Sequence, residues 1–135
     1  MQITLIAIDP GREKCGIVVF EKTRGVLYQK VIDTLELTKT VEELIEKYQV
    51  HTIIMGNGTS SIQAKKQLET SPVGKQITLE LVDEYRTTDA AKIRYWQDNP
   101  PRGFRRLLPT TMQVPPVPVD DYVAVILAER YFAKQ

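Results

Sequence analysis

The sequence predicts an α/β fold, a five-stranded mixed sheet with helices on both faces. Three observations carry this expectation. Three apolar runs, at 2–9, 15–22 and 26–32, are joined by tight turns, the pattern of an antiparallel meander. Two further runs, 52–55 and 77–82, alternate with stretches of helical period. The last stretch, 121–133, is apolar almost all round, as a helix buried on most of its faces must be.

The first run, Ile3-Thr4-Leu5-Ile6-Ala7-Ile8-Asp9, ends in an acid and meets Pro10-Gly11 at once, which predicts a turn back into 15–22. Arg24-Gly25 then turns the chain into the third strand. Val41, Leu44, Ile45 and Tyr48 fall at i, i+3, i+4 and i+7, one helical stripe, with Thr40 and Glu43 as a capping box at its start. Thr52-Ile53-Ile54-Met55 predicts a short buried strand ending at Gly56-Asn57-Gly58. Residues 60–70 predict a helix with Ala64 and Leu68 inward, stopped by Pro72 and Gly74. The strand 77–82 runs into Asp83-Glu84, and 87–97 predicts another helix. The stretch 99–118 holds six of the eight prolines and has no sustained period, so it is expected to be a long irregular loop.

A chain of 135 residues suffices for one domain with a real core, and 42% hydrophobic with 26% charged residues excludes a disordered chain. No apolar run approaches the roughly 20 residues that span a bilayer, so no membrane role is expected. The chain opens directly on a strand pattern, with no leader expected. The lone Cys15 sits in a strand pattern and reads as a small buried hydrophobe, in keeping with a reducing, cytoplasmic setting. A formal net charge of +1 means that any affinity for nucleic acid must rest on local clusters.

Three acidic clusters stand where an α/β sheet builds its sites. Asp9 and Asp83-Glu84 follow strands at their carboxyl ends, and Asp120-Asp121 stand at the start of the last helix. Singly, each has a structural reading: turn chemistry for Asp9, a solvated strand end for Asp83-Glu84, an N-cap for Asp120 or Asp121. Brought together, such carboxylates repel unless a cation neutralises them. Hard oxygen ligands without a histidine or cysteine cluster select Mg²⁺ or Mn²⁺. A pair of these ions roughly 4 Å apart can activate water and stabilise the leaving oxygen in phosphodiester hydrolysis.

Ile6-Ala7-Ile8-Asp9-Pro10-Gly11, Gly16-Ile17-Val18, the middle motif Val82-Asp83-Glu84-Tyr85-Arg86-Thr87-Thr88-Asp89-Ala90 and the final Val119-Asp120-Asp121-Tyr122-Val123-Ala124-Val125-Ile126-Leu127-Ala128-Glu129-Arg130-Tyr131-Phe132 occur in one order. This pattern resembles the RNase H-like, YqgF-type family, whose members are described as Holliday-junction resolvases and as nucleases that process pre-16S rRNA. The resemblance covers nearly the whole chain. It implies an RNase H-like fold, a Mg²⁺- or Mn²⁺-dependent nuclease, and Asp9, Glu84 and Asp120 as catalytic, metal-binding acids; as members of the same acidic clusters, Asp83 and Asp121 are further candidate ligands. The chain departs from the family in three places, the first being the proline-rich stretch 99–118, longer than the family's loop. Met55-Gly56-Asn57-Gly58-Thr59-Ser60 stands where the family has a Gly-Leu-Pro loop, and the middle motif carries Tyr85 before its arginine.

Basic residues cluster in one stretch: Arg86, Lys92, Arg94, Arg102, Arg105 and Arg106, interleaved with Tyr95, Trp96 and Phe104. Arginines hold phosphates and aromatic faces stack on unpaired bases, whereas Tyr95 and Trp96 serve equally well as core residues of a helix. Arg86, Arg102, Arg105 and Arg106 are the expected nucleic-acid contacts. Arg12 and Lys14, beside Asp9, either reach the scissile phosphate or solvate the turn. Asn57, between two glycines before a helix, either cradles a phosphate or closes the turn. His51, at a helix–strand junction, reads as a surface residue.

Three functions compete at this level. The first is a nuclease on structured RNA or branched DNA. The second is a phosphate-binding ATPase or sugar kinase, which also opens with a strand, an acid and a glycine turn but needs two such domains. The third is a nucleic-acid-binding module that kept the fold and lost activity. Pre-16S rRNA processing by a monomer or weak dimer is the expectation; symmetric junction cutting requires a two-fold dimer.

Overall fold

A computed structural model of the chain describes residues 3–134. Five strands form one sheet in the order β3-β2-β1-β4-β5: β1 (Thr4–Asp9), β2 (Lys14–Glu21), β3 (Gly25–Asp33), β4 (Thr52–Gly56) and β5 (Thr78–Val82). The first strand was expected from residue 2; Gln2 lies outside the described residues. β1, β2 and β3 pair antiparallel, as the short turns between them require, and β4 and β5 add in parallel on the other side of β1. The fold is therefore the mixed five-stranded sheet that the order of apolar runs predicts.

Alternation along each strand divides the core in two. On one face Ile6, Ile8, Ile17, Val19, Ile53 and Met55 pack against α1 (Leu37–Tyr48) and α2 (Ser61–Thr70), through Leu37, Val41, Leu44, Ile45, Ala64 and Leu68. On the other, Leu5, Ala7, Val18, Phe20 and Ile54 pack against Ala91 of α3 (Thr87–Asp98) and the buried side chains of α4 (Asp120–Ala133). β1 is central and buried on both faces, so Leu5, Ile6, Ala7 and Ile8 are all fully buried. α4 buries Val123 through Ala128 in an unbroken run, which matches its lack of a polar face.

The capping box expected of Thr40 and Glu43 does not form. A 3-10 turn, Thr34–Glu36, leads straight into α1, so the helix begins at Leu37 and Thr40 lies inside its first turn. Burial of Leu37 fixes that earlier start, and the Glu36 side chain makes no capping bond. At α4 the cap position belongs to Val119, so Asp120 and Asp121 are the first two helical residues and neither is an N-cap. The stretch 99–118 contains no α-helix or strand, only two 3-10 turns, Gly103–Leu107 and Thr110–Met112. Cys15 is fully buried and His51 exposed, as expected. Tyr95 and Trp96 are buried edge to face at 5.1 Å, Tyr95 also packing on Tyr122 of α4 and Trp96 lying against the loop 99–118, so neither ring is a free stacking platform. No described helix is long and apolar enough to cross a membrane.

Candidate active site

The carboxyl ends of β1, β4 and β5 and the first turn of α4 meet at one edge of the sheet. Asp9 is the last residue of β1, opposite Gly16 of β2. Only glycine fits at 16: a Cβ there would lie 1.9 Å from the Asp120 carbonyl oxygen and 2.4 Å from the Asp121 nitrogen. The missing side chain lets α4 set its N-terminus directly on β2, and this brings Asp120 to Asp9.

The Asp9 carboxyl is pushed up to about 7, by burial first, then by the charges of Asp120 and Glu84, and by a side-chain hydrogen bond to Asp120. The Asp120 carboxyl is also raised, by burial and then by Asp121, against which the hydrogen bond from Asp9 acts. Asp9 is thus the member that keeps the proton and donates it. Asp121 is held elsewhere: Gln29 Nε2 of β3 donates to its Oδ2 at 2.9 Å. Of the two adjacent acids, Asp120 faces Asp9 and Asp121 faces the meander.

The middle cluster divides likewise. Asp83 accepts the Tyr85 backbone N–H at 3.1 Å, closing a local turn. Glu84 reaches over the end of β4, where a Cβ on Gly56 would lie 2.4 Å from Oε2 and a Cβ on Gly58 2.4 Å from Oε1. Burial raises the Glu84 carboxyl, with Asp83 as the second cause. Its main chain is fixed by Thr87, whose backbone N–H and Oγ1 donate to the Glu84 carbonyl at 3.1 and 2.8 Å. Arg86 turns the chain into α3 in the left-handed region, φ 54°, a conformation that a residue with a Cβ adopts at a cost. The Arg130 guanidinium of α4 donates to the Tyr85 carbonyl and ties this turn to the same helix that carries Asp120.

The acids therefore meet pairwise. Asp9 and Asp120 touch; Glu84 acts on Asp9 through its charge while resting against the Gly56–Gly58 turn. Among the described residues no three acidic, histidine or cysteine side chains stand close enough to hold an ion as they lie. The donor chemistry nevertheless fits a hard divalent cation: oxygen ligands only, crowded enough to keep one proton that a cation would displace. A cavity of about 600 Å³ lies beside β5 and Arg130, off the Asp9–Asp120 pair.

The expected basic contacts fall in separate places. Lys14 is paired with Asp33 across the β2–β3 ladder at 2.6 Å, with both side chains more than half exposed. Arg12 lines a groove of about 420 Å³ between the β1–β2 turn and α2, beside Ser60 and Gln63. Asn57 donates its backbone N–H to the Val82 carbonyl at 3.0 Å, joining the ends of β4 and β5. Arg86 stands 3.7 Å from Asp89 at the start of α3. Arg102, Arg105 and Arg106 are exposed on the long loop. The sequence motifs include Gly16 and Arg130 but assign neither a place at the site, and Gln29 stands in no motif. Gln29 and Asp121 are 92 positions apart, and no local pattern joins them.

No protein-family model matches the sequence, and no curated protein matches it. The fold is similar to that of Thermus thermophilus RuvC in complex with Holliday junction substrate, with a TM-score of 0.60 and 10% identity over 98% of this chain and 96% of that one. It is also similar to a second Thermus thermophilus RuvC structure, with a TM-score of 0.56 and 11% identity over 96% of each chain. At such identities the likeness is one of fold, and the fold is RNase H-like.

Proposed function

We propose that the protein is a divalent-metal-dependent nuclease that hydrolyses phosphodiester bonds in structured nucleic acid, with Asp9, Glu84 and Asp120 as its catalytic acids. The observation that carries this reading is the Asp9–Asp120 contact. Two carboxyl groups from the first strand and the last helix are driven together at the open edge of the sheet, and one retains its proton to near neutral pH. A fold seldom keeps so unfavourable a contact without a use for it. Mg²⁺ or Mn²⁺, when bound, would polarise the scissile phosphate and activate water.

The chain's own residues would do the following. Asp9 and Asp120 give up their shared proton and supply oxygen ligands. Glu84, which rests against the Gly56–Gly58 turn, would supply a further oxygen ligand. Gln29 holds Asp121, and the Asp83 turn holds Glu84, so that one acid of each pair is presented. Arg12 lies on the same edge and would meet a flanking phosphate, while Arg86, Arg102, Arg105 and Arg106 extend the contact along the strand.

The substrate assigned here is precursor 16S rRNA, cut in the cytoplasm by a monomer or weak dimer. An unpaired RNA end suits a loop that carries arginines and an exposed aromatic, Phe104. A second reading is resolution of branched DNA, supported by the similarity in fold to a RuvC bound to a Holliday junction substrate. One assay tests both: light scattering with cleavage of a precursor-rRNA fragment and a four-way DNA junction, with and without Mn²⁺, against Asp9→Asn. Metal-dependent cutting of the rRNA that Asp9→Asn abolishes supports the proposal. A stable dimer making paired cuts in the junction alone supports the second reading. Cutting by Asp9→Asn at the parent rate overturns the assignment of the site.

A further inference from the structure

The long loop does more than present arginines. Its segment 110–114 lies beside α3 and forms an open groove of about 440 Å³ with Arg86, Lys92, Ile93 and Trp96. That volume falls within the roughly 300–1,000 Å³ of small-molecule sites. Two polar atoms on its lining residues are buried without a partner among the described residues, the indole Nε1 of Trp96 and the amide Oε1 of Gln113. Trp96 is only 9% exposed. Buried polar groups are nearly always paired, so two orphans on residues that line one groove call for an explanation; both atoms are closed to solvent as the loop lies, so a ligand reaches them only when residues 110–114 rise from α3.

The orphans are of opposite kinds. An indole N–H only donates. The Gln113 amide nitrogen is already spent on the carbonyls of Arg105 and Leu108, at 2.8 and 3.1 Å, which leaves its oxygen to accept. A ligand that answers both is a flat group with an acceptor and a donor on its edge. Apolar walls for its faces are present in Ile93, Met112 and Val114, which are 60%, 75% and 80% exposed. Arg86 and Lys92 on its lining, even with Asp89 3.7 Å from Arg86, leave a net positive charge that suits a phosphate. An edge of mixed hydrogen-bonding groups, flat faces and a phosphate describe one class of ligand, a nucleotide.

We infer that the groove between α3 and residues 110–114 receives a single unpaired nucleobase of the nucleic-acid substrate, with its edge toward Trp96 and Gln113 and its phosphate toward Arg86 and Lys92. This rests on the nuclease reading for the source of the base. The loop can admit it. The hydrogen bonds found in 103–113 run within the loop, from Leu108 to Arg105, Met112 to Pro109, and Gln113 to Thr110, Arg105 and Leu108. Raising it from α3 breaks none of these bonds. Base extrusion into such a pocket costs least where the base is already unpaired, so the site favours single strands, bulges and ends over continuous duplex.

Trp96 is the only tryptophan of the chain and reports on its own site. The test is tryptophan fluorescence of the full chain, in chelator so that nothing is cut, titrated with a ten-nucleotide single strand, a hairpin of continuous duplex, adenosine monophosphate and ribose 5-phosphate. The single strand and adenosine monophosphate should change Trp96 emission; the hairpin and ribose 5-phosphate should not. Thr111→Phe, a filling change at an exposed position, should weaken the single strand by roughly tenfold, the scale of one stacked base, and leave the hairpin unchanged. Equal responses to strand and hairpin, or an unaltered response in Thr111→Phe, overturn the inference while leaving the nuclease reading intact. A Trp96 response without any Mn²⁺-dependent cleavage supports the inference and overturns the nuclease reading.

Discussion

The carboxyl of Asp9 donates a hydrogen bond to the carboxylate of Asp120 and joins the end of β1 to the first turn of α4. Because burial and neighbouring charge raise the Asp9 carboxyl from 3.8 to about 7, the folded chain keeps a proton there that the unfolded chain releases. Between about pH 4 and pH 7 the native state binds more protons, so stability should fall as pH rises through that window and stay lower above it. The fall is on the order of a few kcal/mol at most. Urea unfolding at pH 5 and pH 8 measures it; equal or greater stability at pH 8 would contradict the shared proton.

Asp9→Asn should therefore be more stable than the parent at pH 8, by roughly 1–3 kcal/mol, while cleavage is lost. Mg²⁺ or Mn²⁺ should raise the melting temperature of the parent at pH 8 and leave that of Asp9→Asn unchanged. A melting temperature that rises equally in both would place the ion elsewhere.

Glu84 and Asp83 are adjacent but do different things. Glu84→Gln should lower the cleavage rate by roughly 100-fold or more, the loss expected when a metal ligand goes. Asp83→Asn keeps an oxygen to accept the Tyr85 N–H and removes only the charge, so its effect on the rate should be several-fold at most. Single-turnover rates of the two variants decide it, and small equal losses would refute the site as drawn.

The glycines separate backbone from side-chain contacts. Gly16→Ala meets the rigid main chain of Asp120 and should cost about 1–3 kcal/mol, with loss of activity. Gly58→Ala meets only the mobile end of Glu84, so it should fold near normally and change metal affinity. Calorimetric stability together with Mn²⁺ titration distinguishes the two; a Gly16→Ala protein as stable as the parent would mean that α4 does not depend on this close approach.

Replacing Arg102, Arg105 and Arg106 together by Ala should weaken nucleic-acid binding and flatten its salt dependence, lowering the log–log slope by roughly 2–3. Anisotropy titrations at several salt concentrations give the slope. An unchanged slope would make these arginines ordinary surface.

Much of the sheet was legible because its signals are local. Apolar runs of strand length, the Arg24-Gly25 turn and the stripe Val41–Leu44–Ile45–Tyr48 each depend on neighbours in sequence. The capping box at Thr40 misled because a cap is a geometry, and burial of Leu37 fixed the helix start one turn earlier. The three acidic clusters were legible as strand and helix ends. What selects among adjacent acids was not, because it depends on partners far along the chain: Gln29 for Asp121, and the glycines of β4 and its turn for Glu84. The orphaned Trp96 indole was equally hidden, since a buried aromatic announces its packing but not its unmet hydrogen bond.

The placement of α4 on Gly16 also sets an order in time. Asp9 and Asp120 stand on the first strand and the last helix, so the proposed centre is incomplete until the final element docks. A chain still emerging during synthesis holds Asp9 and Glu84 without their partner, and loosening of α4 alone undoes the centre while the sheet persists. An enzyme that cuts nucleic acid would in this way stay harmless until α4 has been made and has docked, with that helix as its safety catch.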